Sequence, residues 1–364
     1  MMKRSMMDRF RLNPSKGLEF GVYTLGDHMP NPLTKQRISA HQRIKEIIEL
    51  AKLAEQAGID FFSVGESHQE YFTTQAHSVV LSAIAQATST IKLGSSSTII
   101  STLDPVRVFE DFATLDLISD GRIELVAGRA SRVGNFELLG YNLNKYEEIF
   151  EEKLELLRLI NDNEIVTWHG EFRESLRDAV ILPRPKNGHL PIWRAVGGPP
   201  ASAVKAGYTG IPMMLAILGG PVDYFKNTID VYRESLEFAN FNSKDFPVTT
   251  AGLFYVADTM EQAQKELYPF LSAGMKLSNG KEYPKWQFAR GAERADVLNV
   301  GSPEAVVDKI LYQHEMFNNQ RYIGQMDFGG IPFNKLMKNI ELIGEKVLPE
   351  IKKYTTIIKE TDKK

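Results

Sequence analysis

Four polar clusters stand directly behind apolar runs, where a fold can present side chains at the end of a strand. "GESH" sets Glu66 and His68 two residues apart. "GSSST" puts four hydroxyls in a row, from Ser95 to Thr98. "VAGRAS" ends an apolar run on Gly128 and follows it with Arg129 and Ser131. "GGPPAS" places Gly197 and Gly198 ahead of two prolines and Ser202. A carboxylate beside an imidazole can hold and move a proton near neutral pH. On an extended segment Glu66 and His68 face one way and Ser67 the other. Two glycines before a helix let an anion approach the backbone, and the helix start offers free N–H groups and the positive end of its dipole. Prolines cost nothing in a first turn, where their missing donors would be unpaired anyway. Ser202 adds a hydroxyl one turn in, and Arg129 a guanidinium that can fork onto a phosphate. Each feature alone is equally a structural salt bridge or an ordinary Gly-rich turn. Together on adjacent strand ends, they favour a phosphate-bearing ligand.

Other chemistries lack their residues. There is no G-x-G-x-x-G and no G-x-x-x-x-G-K-[ST], so neither a dinucleotide fingerprint nor a P-loop is present. The seven histidines form no H-x-H or H-E-x-x-H pair, so no metal centre is expected. Cysteine is absent, which removes disulfides, zinc–thiolate sites and thiol nucleophiles. Net charge is −3, leaving no electrostatic case for nucleic acid or an anionic membrane.

The elements that would position these clusters alternate. Strands are expected at 18–26, 59–66, 91–101, 121–128, 191–198, 209–216, 247–257 and 325–330. Helices are expected at 40–58, 75–88, 104–119, 145–161, from about 200, and at 222–240, 260–273, 302–317 and 333–351. Alternation implies parallel strands with right-handed crossovers. An open doubly wound sheet is one solution, but eight units favour a closed one. The fold class is therefore α/β, a single (β/α)8 TIM barrel, with excursions after the fourth strand (167–190) and before the eighth (276–299). Residues 17–352 would form the barrel, 1–16 a flexible N-terminal tail and 353–364 a polar C-terminal tail. In such a barrel the site lies at the C-terminal strand ends, where all four clusters stand. No signal peptide is expected, since "MMKRSMMDRFRLNPSKG" lacks an apolar core, and a cytoplasmic protein is anticipated.

The chain resembles the bacterial luciferase-like superfamily of flavin-dependent oxidoreductases and monooxygenases. The likeness spans roughly 18–351 and is carried by "GIDFFSVGESHQEYF", "IKLGSSSTIISTLDPVRVFEDFATLDLISDGRIELVAGRAS", "LPIWRAVGGPPASAVKAGYTGIPMML" and "KVLPEI". It implies FMN across the barrel mouth, with the phosphate at Arg129 and Ser202. The implied cofactor contacts are Glu66, Ser96, Ser97, Gly128, Arg129, Ser131, Gly197, Gly198 and Ser202. It also implies a cis peptide at Ser96–Ser97, under the flavin ring. In luciferases the residue after the strand-two glutamate is a catalytic histidine, and here "ESHQ" holds Ser67 there. That departure argues against luciferase-type aldehyde chemistry and leaves two roles for His68, a general base near the flavin or a hydrogen bond to the scaffold. The activity implied is that of a two-component monooxygenase. A separate flavin reductase would supply reduced FMN, oxygen would be consumed on a small organic substrate, and the protein would be a homodimer. Phe20, Tyr23, Phe62, Tyr71, Phe72, Met213 and Leu215 would either keep the mouth dry or, as any single one of them more readily does, pack in the core and rim, and 276–299 would act as a lid. The alternatives are a deazaflavin-dependent hydride-transfer oxidoreductase, a non-catalytic flavin-binding protein and a phosphosugar barrel enzyme without flavin.

Overall fold

Strand pairing closes on itself in this chain, whose computed structural model describes residues 5–129 and 135–357. The strands are β1 (Glu19–Thr24), β2 (Phe61–Val64), β3 (Lys92–Ser95), β4 (Ile123–Gly128), β5 (Ile192–Val196), β6 (Met213–Ile217), β7 (Val248–Val256) and β8 (Arg321–Gln325). Each pairs in parallel with the next, and β8 pairs with β1. The result is a (β/α)8 barrel. No described helix is long and apolar enough to cross a membrane.

Local chemistry sets the helices. Ser39 caps α1 (Ala40–Gln56) by accepting from the Gln42 N–H, and Gly58 ends it at a φ of +80°. Its buried stripe is Ile47, Leu50, Ala51 and Ala54. α2 (His77–Ala87) follows β2. Asp104 caps α3 (Pro105–Ile118) through the Val106 and Arg107 amides, with Pro105 in the first turn. α4 (Tyr146–Asp162) buries Ile149, Phe150, Leu154, Leu157 and Ile160. α5 (Pro200–Tyr208) follows β5. Further helices at Val222–Phe238, Met260–Asn279, Pro303–Phe317, Phe333–Leu342 and Leu348–Thr355 complete the outer layer.

Inside the ring, Tyr23, Phe61, Val126, Trp193, Met214, Ala251 and Ile323 form one apolar layer. Below it lies an ion network. Arg321 is fully buried and forks onto both oxygens of Glu124 at 2.8 and 3.0 Å, while Glu19 takes it at 2.7 Å. Lys92 also contacts Glu19.

Several expectations change. The eighth strand is Arg321–Gln325 rather than 325–330, because its charged first residue points into the barrel and hides the strand's apolar signal. Residues 326–330 instead form a loop in which Gly329 and Gly330 hold positive φ of 80° and 79°. Of the anticipated flexible tail, residues 5–16 pack in place: Phe10 and Leu12 are each 4 % exposed, and Phe10 meets Trp193 edge-on at 4.6 Å, closing the barrel floor. At the other end of the chain, Thr355 accepts the Leu18 N–H at 2.9 Å, and Ile357 N–H donates to Ser15 at 3.2 Å. The first excursion contains an antiparallel hairpin, Ile165–Trp168 with Leu176–Val180. The second carries a helix, Lys285–Arg290. Phe20, Phe62, Met213 and Leu215 are fully buried core residues rather than lining of the mouth.

Candidate functional site

The C-terminal ends of β2, β3 and β4 meet around a two-serine bulge. The Ser96–Ser97 peptide is cis. Two glycines make room for it. A Cβ at Gly65 would lie 2.2 Å from the Ser96 carbonyl oxygen, and one at Gly128 would lie 2.0 Å from the Ser97 hydroxyl. Ser96 Oγ pairs with Ser63 Oγ at 2.7 Å. Glu66 pins the same bulge: its N–H donates to the Ser97 carbonyl at 3.0 Å, and its Oε2 accepts from Ile99 N at 2.7 Å.

The other oxygen of Glu66 lies 2.6 Å from His68 Nε2. Glu66 is buried, and the His68 side chain is 12 % exposed. An imidazole that donates its Nε2 hydrogen to this carboxylate keeps Nδ1 as an acceptor. His77 sits behind, its Nδ1 3.7 Å from Glu66 Oε2 and its Nε2 bonded to Thr98 Oγ1 at 2.8 Å. Burial holds His77 below the usual imidazole value, although nearby Glu66 pulls the other way. A second polar cluster stands between β1 and β8. Asp327 accepts from Thr24 at 2.5 Å and pairs with Arg43. Burial pushes the Asp327 carboxyl up, and Arg43 only partly offsets this.

The residues expected to meet an anion lie on the next rim. Arg129 does not stand open: its Nη1 donates to Glu147 Oε1 at 3.1 Å, and the guanidinium lies 5.9 Å from the Phe150 ring centre. Glu147 Oε2 is 3.7 Å from Lys205 Nζ on α5. Glu151, one turn along α4, takes the fully buried Arg194 at 2.6 and 2.8 Å and Lys205 at 3.4 Å. α5 begins without a side-chain cap. The Ser202 hydroxyl, in a residue 6 % exposed, has no hydrogen-bond partner among the described residues. Such an orphan is costly unless a ligand or water satisfies it. A Cβ at Gly197 would meet nothing nearer than 3.9 Å, so the backbone there is open. These features fit a phosphate dianion.

The structure thus brings Glu66, His68, Ser96, Ser97 and Gly128 together. Arg129 and Ser202 approach a shared rim through Glu147 and Lys205 rather than by touching. Ser131 lies outside the described residues. Sequence reasoning missed Gly65, His77, Glu147 and Lys205. Gly65 had a signal, a glycine just before the candidate glutamate. Glu147 and Lys205 lay within helix patterns and carried none.

The chain belongs to the luciferase-like monooxygenase family, whose family model matches residues 18–320. It is 27 % identical over 251 residues to an N-acetyl-S-alkylcysteine monooxygenase of Bacillus subtilis, covering 67 % of this chain and 71 % of that protein. It is 28 % identical over 174 residues to an F420-dependent glucose-6-phosphate dehydrogenase of Amycolatopsis mediterranei, covering 46 % of this chain and 50 % of the other. Among solved structures, the monooxygenase RslO1 from Streptomyces bottropensis superposes with a TM-score of 0.78 at 25 % identity, covering 91 % of this chain and 99 % of that one. The protein is an oxidoreductase of the flavin and deazaflavin type.

Proposed function

We propose that the protein is an FMN-dependent monooxygenase that takes reduced FMN from a separate flavin reductase and oxidises a small organic substrate. The observation that carries this is the buried Ser202 hydroxyl, without a partner among the described residues, at the uncapped start of α5, with Arg129 and Lys205 both drawn to Glu147 on the same rim. Arg129, Ser202, Gly197 and Gly198 would hold the phosphate, and Ser96, Ser97, Gly128 and Glu66 would border the ring. When bound, the flavin supplies the electrons and the reaction with oxygen. The chain's own residues bind, orient and move protons. Glu66 fixes the orientation of His68, and Nδ1 of His68 is then free to take a proton from substrate. Burial around Glu66 limits water at that position. A homodimer in the cytoplasm is part of the same proposal.

A second reading, deazaflavin-dependent hydride transfer, draws support from the F420-dependent relative. Titration with FMN and riboflavin tests the phosphate site, and oxygen uptake with reduced FMN separates the two reactions. We expect FMN to bind at least tenfold tighter than riboflavin, a preference of about 1.4 kcal/mol or more, and Arg129→Ala to remove most of it. Equal affinity for the two flavins defeats the phosphate assignment. Reduction of the deazaflavin with no oxygen uptake favours the second reading.

A further inference from the structure

We propose that Glu147 competes with the cofactor phosphate for two cations, Arg129 and Lys205, and that Lys205 is a second positive group of the phosphate site. This rests on the FMN reading above.

One carboxylate stands between two cations from different elements. Its Oε1 takes Arg129 Nη1 at 3.1 Å, and its Oε2 lies 3.7 Å from Lys205 Nζ. Its third partner is the Tyr146 hydroxyl, which donates to Oε1 at 3.3 Å. Arg129 follows β4, and Lys205 is on α5. Ser202 and Lys205 are three residues apart on that helix, so they share a face. The orphaned Ser202 hydroxyl therefore lies on the same helix face as a cation already drawn to an anion. A guanidinium, an ammonium, an unpaired hydroxyl and an uncapped helix start make a donor set that suits a tetrahedral dianion better than one carboxylate.

Glu147 and Glu151 differ in how firmly they are held. Glu151 is held by two short bonds from Arg194, whose side chain is fully buried. Glu147 is 47 % exposed and rests near the start of α4, so it can turn to water at little cost. Lys205 also contacts Glu151 at 3.4 Å, which keeps it at the rim when Glu147 leaves. The consequence is selectivity by charge. Arg129 and Lys205 favour a phosphorylated flavin over a neutral one, and Glu147 limits that advantage because the phosphate must displace it from both cations.

The test is a fluorescence titration of oxidised FMN and of riboflavin against wild type, Glu147→Gln and Lys205→Ala. Both residues are about half exposed, so neither variant threatens the fold. Glu147→Gln is expected to tighten FMN about three- to fivefold and leave riboflavin unchanged. Lys205→Ala is expected to weaken FMN about three- to tenfold, again without effect on riboflavin. If wild type binds FMN and riboflavin equally, the FMN reading itself fails. If wild type prefers FMN but Glu147→Gln leaves that preference unchanged or lowers it, the competition is overturned. An unchanged FMN affinity in Lys205→Ala removes Lys205 from the site.

Discussion

Glu66 Oε1 and His68 Nε2 lie 2.6 Å apart, and the second oxygen of Glu66 is committed to the Ile99 amide at 2.7 Å. The carboxylate is anchored, and the imidazole is oriented by it. His68→Ala should lower kcat about a hundredfold or more, the range for losing a positioned acid–base group, with FMN affinity changed less than about twofold. Glu66→Gln should invert the tautomer, because an amide N–H₂ facing Nε2 leaves the ring hydrogen on Nδ1. A pH profile of kcat for the three proteins checks this. Wild-type turnover in His68→Ala would remove His68 from the reaction.

Gly197 tests whether an anion approaches the backbone. An added Cβ meets no protein atom closer than 3.9 Å, so Gly197→Ala should fold with unchanged urea stability. A phosphate resting on that backbone would be pushed away, and FMN affinity should fall about tenfold while riboflavin binding holds. Gly128→Ala should behave differently. Its Cβ collides with Ser97, so it should lose about 1–3 kcal/mol of stability whether or not flavin is present.

The barrel floor predicts a pH response. Burial alone would raise the Glu124 carboxyl, but Arg321, then Arg11 and Lys92, hold it at about 2. A carboxyl held below its unfolded value of 4.5 contributes stability that is complete above that value and is lost as pH falls towards 2. Urea midpoints should therefore drop between pH 4.5 and 2. Glu124→Gln should flatten that part of the curve. It should also cost about 3 kcal/mol at pH 7, since Arg321 keeps only Glu19 as a charged partner at full strength. A variant curve parallel to wild type in acid would refute the assignment.

Phe10 is the apolar plug beneath Trp193. Phe10→Ala should destabilise the barrel by about 3–5 kcal/mol, as for other buried aromatic truncations, and red-shift Trp193 emission as water reaches the floor. Chemical denaturation followed by fluorescence measures both. A variant as stable as wild type would show that residues 5–16 are dispensable.

The barrel was legible because most strands are apolar runs bounded by glycine or polar residues. β8 was displaced because "RYIGQ" places an arginine and a glutamine where an apolar run was sought, and only the folded partner, Glu124, explains the arginine. The Glu66–His68 pair was legible from two-residue spacing. The link from Arg129 to Glu147 was not, because 18 residues separate them and Glu147 reads as one acidic residue on the outer face of an amphipathic helix. The N-terminal plug was hidden for a similar reason: basic residues interrupt "MMKRSMMDRFRLN", so Phe10 does not sit in a recognisable hydrophobic stretch.

The hydrogen bonds from Leu18 to Thr355 and from Ile357 to Ser15 make the first and last described stretches neighbours beneath the floor. A short linker there would turn the polypeptide into a continuous loop, which could then be reopened at the exposed bend between Trp168 and Leu176. Such a permuted chain should retain its flavin affinity and circular dichroism, since the cut falls outside every barrel strand.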